Sequence, residues 1–279
     1  MNVFVTGATG YIGTAVVSEL LHAGHGVVGL SRSERGAEML KDAGAEAQLG
    51  DLDDLDGLRR GAASADGIIH LAFNHDVIRS DFAAALKTDL LAVQAMGGAI
   101  EGSGKPFLVT NHMNGEASEK AALGLKGVRA IAVSLAPSVH GEGDHGFVPT
   151  LVAIARAKGF SAWVGDGSNR WPAVHRLDAA KLYRLALEKA PGGSRLSGRG
   201  DEGVPFRDIA EVIGRKLGVP ARSITSDQAE AHFGFLGRIA AADVAASPQS
   251  SAETRKLLGW RPSHPGLIAD LEAGHYFGS

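Results

Sequence analysis

Val3-Phe4-Val5-Thr6-Gly7-Ala8-Thr9-Gly10-Tyr11-Ile12-Gly13, near the start of the chain, decides the fold. An apolar run enters a glycine-rich turn. The turn opens the pattern Ala15-Val16-Val17-Ser18-Glu19-Leu20-Leu21, so the stretch reads as strand, turn and helix. Gly7 suits a tight turn that a side chain would obstruct. Gly10 lets backbone approach a pyrophosphate, and Gly13 lets the helix pack closely on the strand. The helix N-terminus offers N–H groups and a partial positive charge to phosphates. With Thr9, Tyr11 and Ile12 in the same turn, the stretch predicts a dinucleotide site.

Outward from this unit, strands and helices alternate. Val27-Val28-Gly29-Leu30, Ala45 to Leu49, Gly67 to Ala72, Phe107 to Thr110 and Val128 to Val133 read as further strands. Helical patterns separate them, the longest over residues 81–101. The alternation predicts an α/β Rossmann fold, a doubly wound parallel sheet with helices on both faces and its ligand crevice at the carboxyl ends of the strands. After Gly146 the pattern changes. We expect a binding domain over 1–146 and a smaller C-terminal substrate lobe over 147–279, interleaved with the end of the sheet.

Composition narrows the function. The 279 residues carry a net charge of −3, with acids and bases interspersed, so no nucleic-acid footprint is expected. The absence of cysteine excludes disulfides and thiolate chemistry. No apolar stretch reaches membrane-spanning length, and the first apolar residues belong to a strand rather than to a signal segment. The expectation is a cytoplasmic, unprocessed chain acting on a small molecule, with a homodimer left open. His70 and His75 lack metal-ligand spacing and no carboxylate cluster joins them, so no metal is expected. A Gly-x-Ser-x-Gly elbow is absent, which leaves a hydrolase triad without support.

Four segments recur in one order in one family: the opening turn, Asp51-Leu52, His70-Leu71-Ala72-Phe73, and Pro137-Ser138-Val139-His140-Gly141. With Gly165 to Asp178 and Leu257-Leu258-Gly259-Trp260-Arg261-Pro262, they make the chain resemble an extended or atypical short-chain dehydrogenase/reductase, the NAD(P)-dependent epimerase/dehydratase family. The resemblance implies that Asp51 and Leu52 flank the adenine. It implies that Leu71, Ala72 and Phe73 line the cofactor, and that Pro137 and Val139 contact the nicotinamide. Asp51 also reads as an ordinary helix-start residue.

An NAD site usually carries an acid at the end of the second strand to accept from the ribose 2′-hydroxyl. Here that place reads Ser31-Arg32-Ser33. A guanidinium grips a 2′-phosphate that an acid would repel, and the two serines can add donors. The expected cofactor is NADP. The alternative leaves Arg32 in solvent and gives the ribose contact to Glu34.

The family's chemistry uses a Tyr-x-x-x-Lys pair on the helix after the fifth strand. None of the three tyrosines, Tyr11, Tyr183 and Tyr276, precedes a lysine at that spacing or lies between the fifth and sixth strands. The segment from Thr110 to Gly127 is short, with room for a loop and about three helical turns, which implies an open pocket. Glu116 and Lys120 share the Tyr-Lys spacing but read as an i,i+4 ion pair. The resemblance places Thr110 where a serine or threonine bonds the substrate oxygen, and Asp89 where standard members have an active-site asparagine. Candidate proton donors are His112, then His140 or His175, because imidazole titrates near neutral pH. Arg170 and Trp171 are candidate substrate contacts, Trp171 reading more readily as core. The function expected is NADPH-dependent reduction of a ketone at an atypical active site. The alternatives are a sugar epimerase/dehydratase and a non-catalytic NADP sensor.

Overall fold

The computed structural model describes residues 1–74, 81–111, 115–246 and 250–278. The chain runs β1 (Asn2–Thr6), α1 (Tyr11–His22), β2 (Gly26–Ser31), α2 (Glu34–Asp42), β3 (Glu46–Leu49), α3 (Leu55–Ser64), β4 (Gly67–His70), α4 (Phe82–Ala99), β5 (Pro106–Thr110), α5 (Glu116–Leu123) and β6 (Arg129–Leu135). It continues through β7 (Ser138–His140), α6 (Phe147–Lys158), β8 (Ser161–Val164), β9 (Arg170–His175), α7 (Arg176–Lys189), β10 (Arg195–Gly198), β11 (Asp201–Pro205), α8 (Phe206–Leu217) and β12 (Ala221–Ile224). Short helices follow, including Leu267–Ala273.

Two compact units result. The first comprises Met1–Ser134, Ala179–Leu196 and Glu253–Trp260. The second comprises Leu135–Asp178, Ser197–Ala252 and Arg261–Ser279. The chain thus passes between units several times, where the sequence suggests one boundary at residue 146.

The large sheet has the order β10-β6-β5-β4-β1-β2-β3. β1 pairs in parallel with β2 and with β4, and the parallel ladder continues through β5 and β6. The N–H groups of Ala132 and Ala136 donate to the carbonyls of Ser194 and Gly198, so β10 joins in the same sense. Val3, Phe4, Val5, Ile68, Ile69, Phe107 and Leu108 are wholly buried. That is why these strands read as continuous apolar runs: helices cover both faces of a parallel sheet. Phe4, Leu58, Ile68, Met96 and Phe107 centre the core on one face. β10 is a seventh strand that the sequence pattern missed, because Arg195-Leu196-Ser197-Gly198 has no apolar run of its own.

The second unit carries a mixed sheet, β11-β9-β7, and a parallel pair, β12-β8. Its core gathers Leu151, Trp163, Trp171, Phe206 and Ile209. Trp171 is 1% exposed and stacks on Phe147 at 4.0 Å, so it is core. Among the described residues no helix is long and apolar enough to cross a membrane.

Candidate cofactor and active site

The glycine turn follows β1 directly. Gly7 has φ +69°, and a Cβ there would meet the backbone of Leu71 and Ala72 within 3.0 Å. A Cβ on Gly13 would lie 1.9 Å from the Gly7 carbonyl oxygen. Turn, helix and the chain leaving β4 therefore pack at backbone distance. Gly10 is exposed, and only the Gly7 oxygen lies near its would-be Cβ, at 3.2 Å. Gly10 caps α1 with no side chain, and α1 has no acid in its first turn. A helix start so built suits an anion. Thr9, Tyr11 and Ile12 are partly exposed on this turn. The cradle fits a dinucleotide pyrophosphate.

At the end of β2, Ser31 is buried and its hydroxyl donates to the Ser33 carbonyl at 2.9 Å. That proton is committed inside the protein. Ser33 caps α2, accepting from Gly36 N–H at 3.2 Å. Arg32 is exposed, and so is Arg35 in the first turn of α2. The strand pairing Ser31↔Leu49 brings Gly50 and Asp51 beside them, with Gly50 N–H donating to the Ser31 carbonyl at 3.0 Å. Asp51 Oδ1 accepts from the N–H groups of Asp53 and Asp54 and shapes the turn, while Asp54 caps α3. Leu52, Leu71, Ala72 and Phe73 are partly exposed.

Behind this edge runs a buried polar chain. Thr6 Oγ1 lies 2.6 Å from His70 Nδ1, and His70 Nε2 lies 3.1 Å from Asp89 Oδ1. Asp89 Oδ2 accepts from the Ser118 hydroxyl, and Thr6 Oγ1 also accepts from Ala72 N–H at 3.3 Å. Thr6, His70 and Asp89 are each at most 1% exposed. The chain ties β1, β4, α4 and α5 together, and Asp89 spends both oxygens inside it. Thr110 belongs to a second chain: Tyr183 Oη lies 2.8 Å from Thr110 Oγ1, which donates to the His70 carbonyl at 2.8 Å. With that proton so used, the Tyr183 hydroxyl is the donor to Thr110. Burial pushes the Tyr183 phenol up, the Thr110 bond pulling only weakly the other way.

α5 is shorter than the three turns expected from the sequence. Glu116 and Lys120 lie exposed on it, opposite buried Ser118. Glu119 carries its polar contacts, accepting from Asn111 Nδ2 and Arg195 Nε at 2.6 Å each. His112 and His75 lie outside the described residues.

In the second unit, Pro137 is exposed, Val139 is partly exposed and His140 is wholly buried. His140 Nδ1 lies 2.9 Å from Asp270 Oδ2, and Nε2 has no hydrogen-bond partner among the described residues. Burial would raise Asp270, but the His140 bond and charge, with Tyr276 and His275, hold it below the usual carboxylate range. His175 stands edge-on to His140 at 5.4 Å and stacks on His264 at 4.8 Å. His264 Nδ1 lies 2.9 Å from Asp178 Oδ1. Burial would raise Asp178 too, but His264 and the N–H groups of Ser263 and His264 pull it down. Arg170 is exposed, 3.8 Å from Asp243. Among the described residues no histidine–carboxylate group is arranged to hold a metal. Sequence reasoning missed His70, Ser118, Tyr183, His264 and Asp270 as parts of these clusters; they meet their partners only through tertiary packing.

A sequence profile described as the NAD dependent epimerase/dehydratase family matches residues 3–104. An uncharacterized protein of Saccharomyces cerevisiae, YLL056C, is 46% identical over 99% of this chain and 99% of its own. Another of Schizosaccharomyces pombe, C2A9.02, is 42% identical over 99% of this chain and 100% of its own. Among solved structures, the dTDP-glucose 4,6-dehydratase DesIV of Streptomyces venezuelae, with NAD and TYD bound, superposes with a TM-score of 0.75. It is 18% identical, with 98% of this chain and 96% of that chain covered, a likeness of fold.

Proposed function

Because the chain belongs to the NAD dependent epimerase/dehydratase family, we propose that it is an NADP(H)-dependent oxidoreductase that reduces the carbonyl of a ketone. The observation that carries the cofactor choice is exposed Arg32, directly after β2 and at the start of α2, with Arg35 close in sequence. A guanidinium there pairs a 2′-phosphate through charge-assisted hydrogen bonds. The α1 start takes the pyrophosphate, and Asp51 keeps Oδ2 for the adenine amine. Pro137 and Val139 take the nicotinamide. When bound, NADPH supplies the hydride to the carbonyl carbon, and water supplies the proton that completes the alcohol. His112, Asp89, Thr110 and His140 stay as the sequence candidates around the reacting oxygen.

One observation favours a second reading, a non-catalytic NADP sensor. The hydroxyl proton of Thr110 and both oxygens of Asp89 are engaged within the protein. The experiment has two stages. NADPH and NADH affinities are measured for wild type and Arg32→Ala. NADPH should bind more tightly, and the variant should lose about 1.5–3 kcal/mol toward NADPH only. Equal losses for both cofactors would remove Arg32 from the 2′-phosphate contact. Turnover with a ketone panel then separates reductase from sensor, since tight NADPH binding without turnover removes the reductase reading.

A further inference from the structure

His175 ends β9 and precedes the first residue of α7. Its Nδ1 accepts the backbone N–H of Leu177 at 3.3 Å, as an N-cap side chain does. That bond decides the tautomer: a neutral imidazole accepting on Nδ1 carries its proton on Nε2. Unlike His140, which is wholly buried, His175 is partly exposed. Its plane is held by the stacked ring of His264 and the edge-on ring of His140. Neither ring swings freely, because each has its Nδ1 bonded to a carboxylate, His264 to Asp178 and His140 to Asp270.

We propose that His175 is an uncharged hydrogen-bond donor whose Nε2–H takes the oxygen of a carbonyl ligand. The inference rests on the carbonyl-reduction reading and names a donor for it that uses neither Thr110 nor a tyrosine. A donor fixed in advance, aimed at an oxygen where negative charge develops, is worth more than the same group in water. Neutral imidazole held at a helix start is suited to this task, since the helix dipole opposes protonation. The surroundings agree. Burial, then the neighbouring His140 and His264, hold the ring's pKa down to about 4, against the weaker opposing pull of Asp270 and Asp178. The ring therefore stays neutral at physiological pH. Those same two carboxylates disfavour a phosphate or carboxylate ligand, so the ligand class is an uncharged ketone or aldehyde. A metal does not suit the site, because the Nε2 lone pair it would need is already a bonded proton.

The test uses the whole chain with NADPH, and acetophenone as probe. His175→Leu should lower kcat about 100-fold or more and leave NADPH affinity unchanged, while His175→Gln, which keeps an N–H donor, should recover most of the loss. Wild-type kcat should be flat from pH 8 to pH 5. Wild-type turnover by His175→Leu, no advantage of Gln over Leu, or a kcat profile centred near pH 6.5 that vanishes in the variants would each overturn the proposal. Imidazole ¹⁵N NMR of the same protein gives a readout independent of turnover. It should show His175 as the Nε2–H tautomer at pH 7, with its Nε2 resonance moved by acetophenone and not by inorganic phosphate. An Nδ1–H tautomer, a charged ring at pH 7, or a response to phosphate alone overturns it. If wild type reduces no ketone, the reductase reading fails, and the NMR outcome still decides the role of His175.

Discussion

The two units each hold a buried histidine joined to a carboxylate, and they differ in what is left over. In the Thr6–His70–Asp89–Ser118 chain, each ring nitrogen and each carboxylate oxygen has a partner inside the protein. Around His140, His175 and His264 the Nδ1 atoms are engaged, while among the described residues His140 Nε2 has no partner. A closed network rigidifies and specifies a fold. A network with an unspent ring nitrogen keeps hydrogen-bonding capacity for a ligand. Burial alone does not separate the two, since His70 and His140 are both at most 1% exposed; the count of satisfied atoms does.

The harshest way to break the comparison is to open the closed network. Asp89→Ala strands His70 Nε2 and the Ser118 hydroxyl in the core, and should cost about 3–5 kcal/mol, as breaking a buried pair does. Urea unfolding measures it. A loss below 1 kcal/mol would show that the chain is not the clamp described. In the other unit, His140→Phe removes one partner of Asp270 and leaves Tyr276, whose hydroxyl lies 3.2 Å from Oδ2. The expected loss is smaller, about 1.5–3 kcal/mol for a hydrogen bond to a charged group. A loss as large as that of Asp89→Ala would erase the distinction between the clusters.

Thr110 offers a finer test. Tyr183→Phe removes one bond of its chain and should cost about 1 kcal/mol with kcat unchanged. Thr110→Val removes both bonds. If Thr110 also serves the substrate oxygen, kcat falls far more than stability does. If kcat follows wild type, the threonine is only part of the core.

A further test is the pH dependence of stability. The His175 pKa lies near 4 in the folded unit, below its ordinary 6.5. Between those values the unfolded chain binds the additional proton, so stability is full above pH 6.5 and falls as the pH drops toward 4. Lowered Asp178 and Asp270 act in the same direction at more acidic pH. Asp144 opposes them: burial raises its pKa, so it favours the folded unit as pH falls. Unfolding curves for His175→Gln should be flatter than wild type between pH 6.5 and 4. Parallel curves would mean that another group carries the titration.

The glycine turn, the alternating strands and Arg32 after β2 were legible in the sequence because their physics is local. Gly7, Gly10 and Gly13 lie within one turn of chain, and apolar runs such as Ile68-Ile69 and Phe107-Leu108 announce strands buried on both faces. That determined the parallel sheet and the glycine turn after its first strand. Only the tertiary structure decided what the polar residues do. Asp89 read as an active-site candidate, and it became a buried acceptor when His70 and Ser118 arrived from other elements. Thr110 could not show in sequence that Tyr183, far along the chain, would take up its oxygen. The tautomer of His175 follows from one local bond to Leu177, but the rings that hold it in plane come from β7 and from the tail near residue 264. Hydrophobic periodicity repeats along the chain and can be read from it. Whether a hydrogen bond is satisfied depends on which distant atom arrives, and that is decided only when the chain packs.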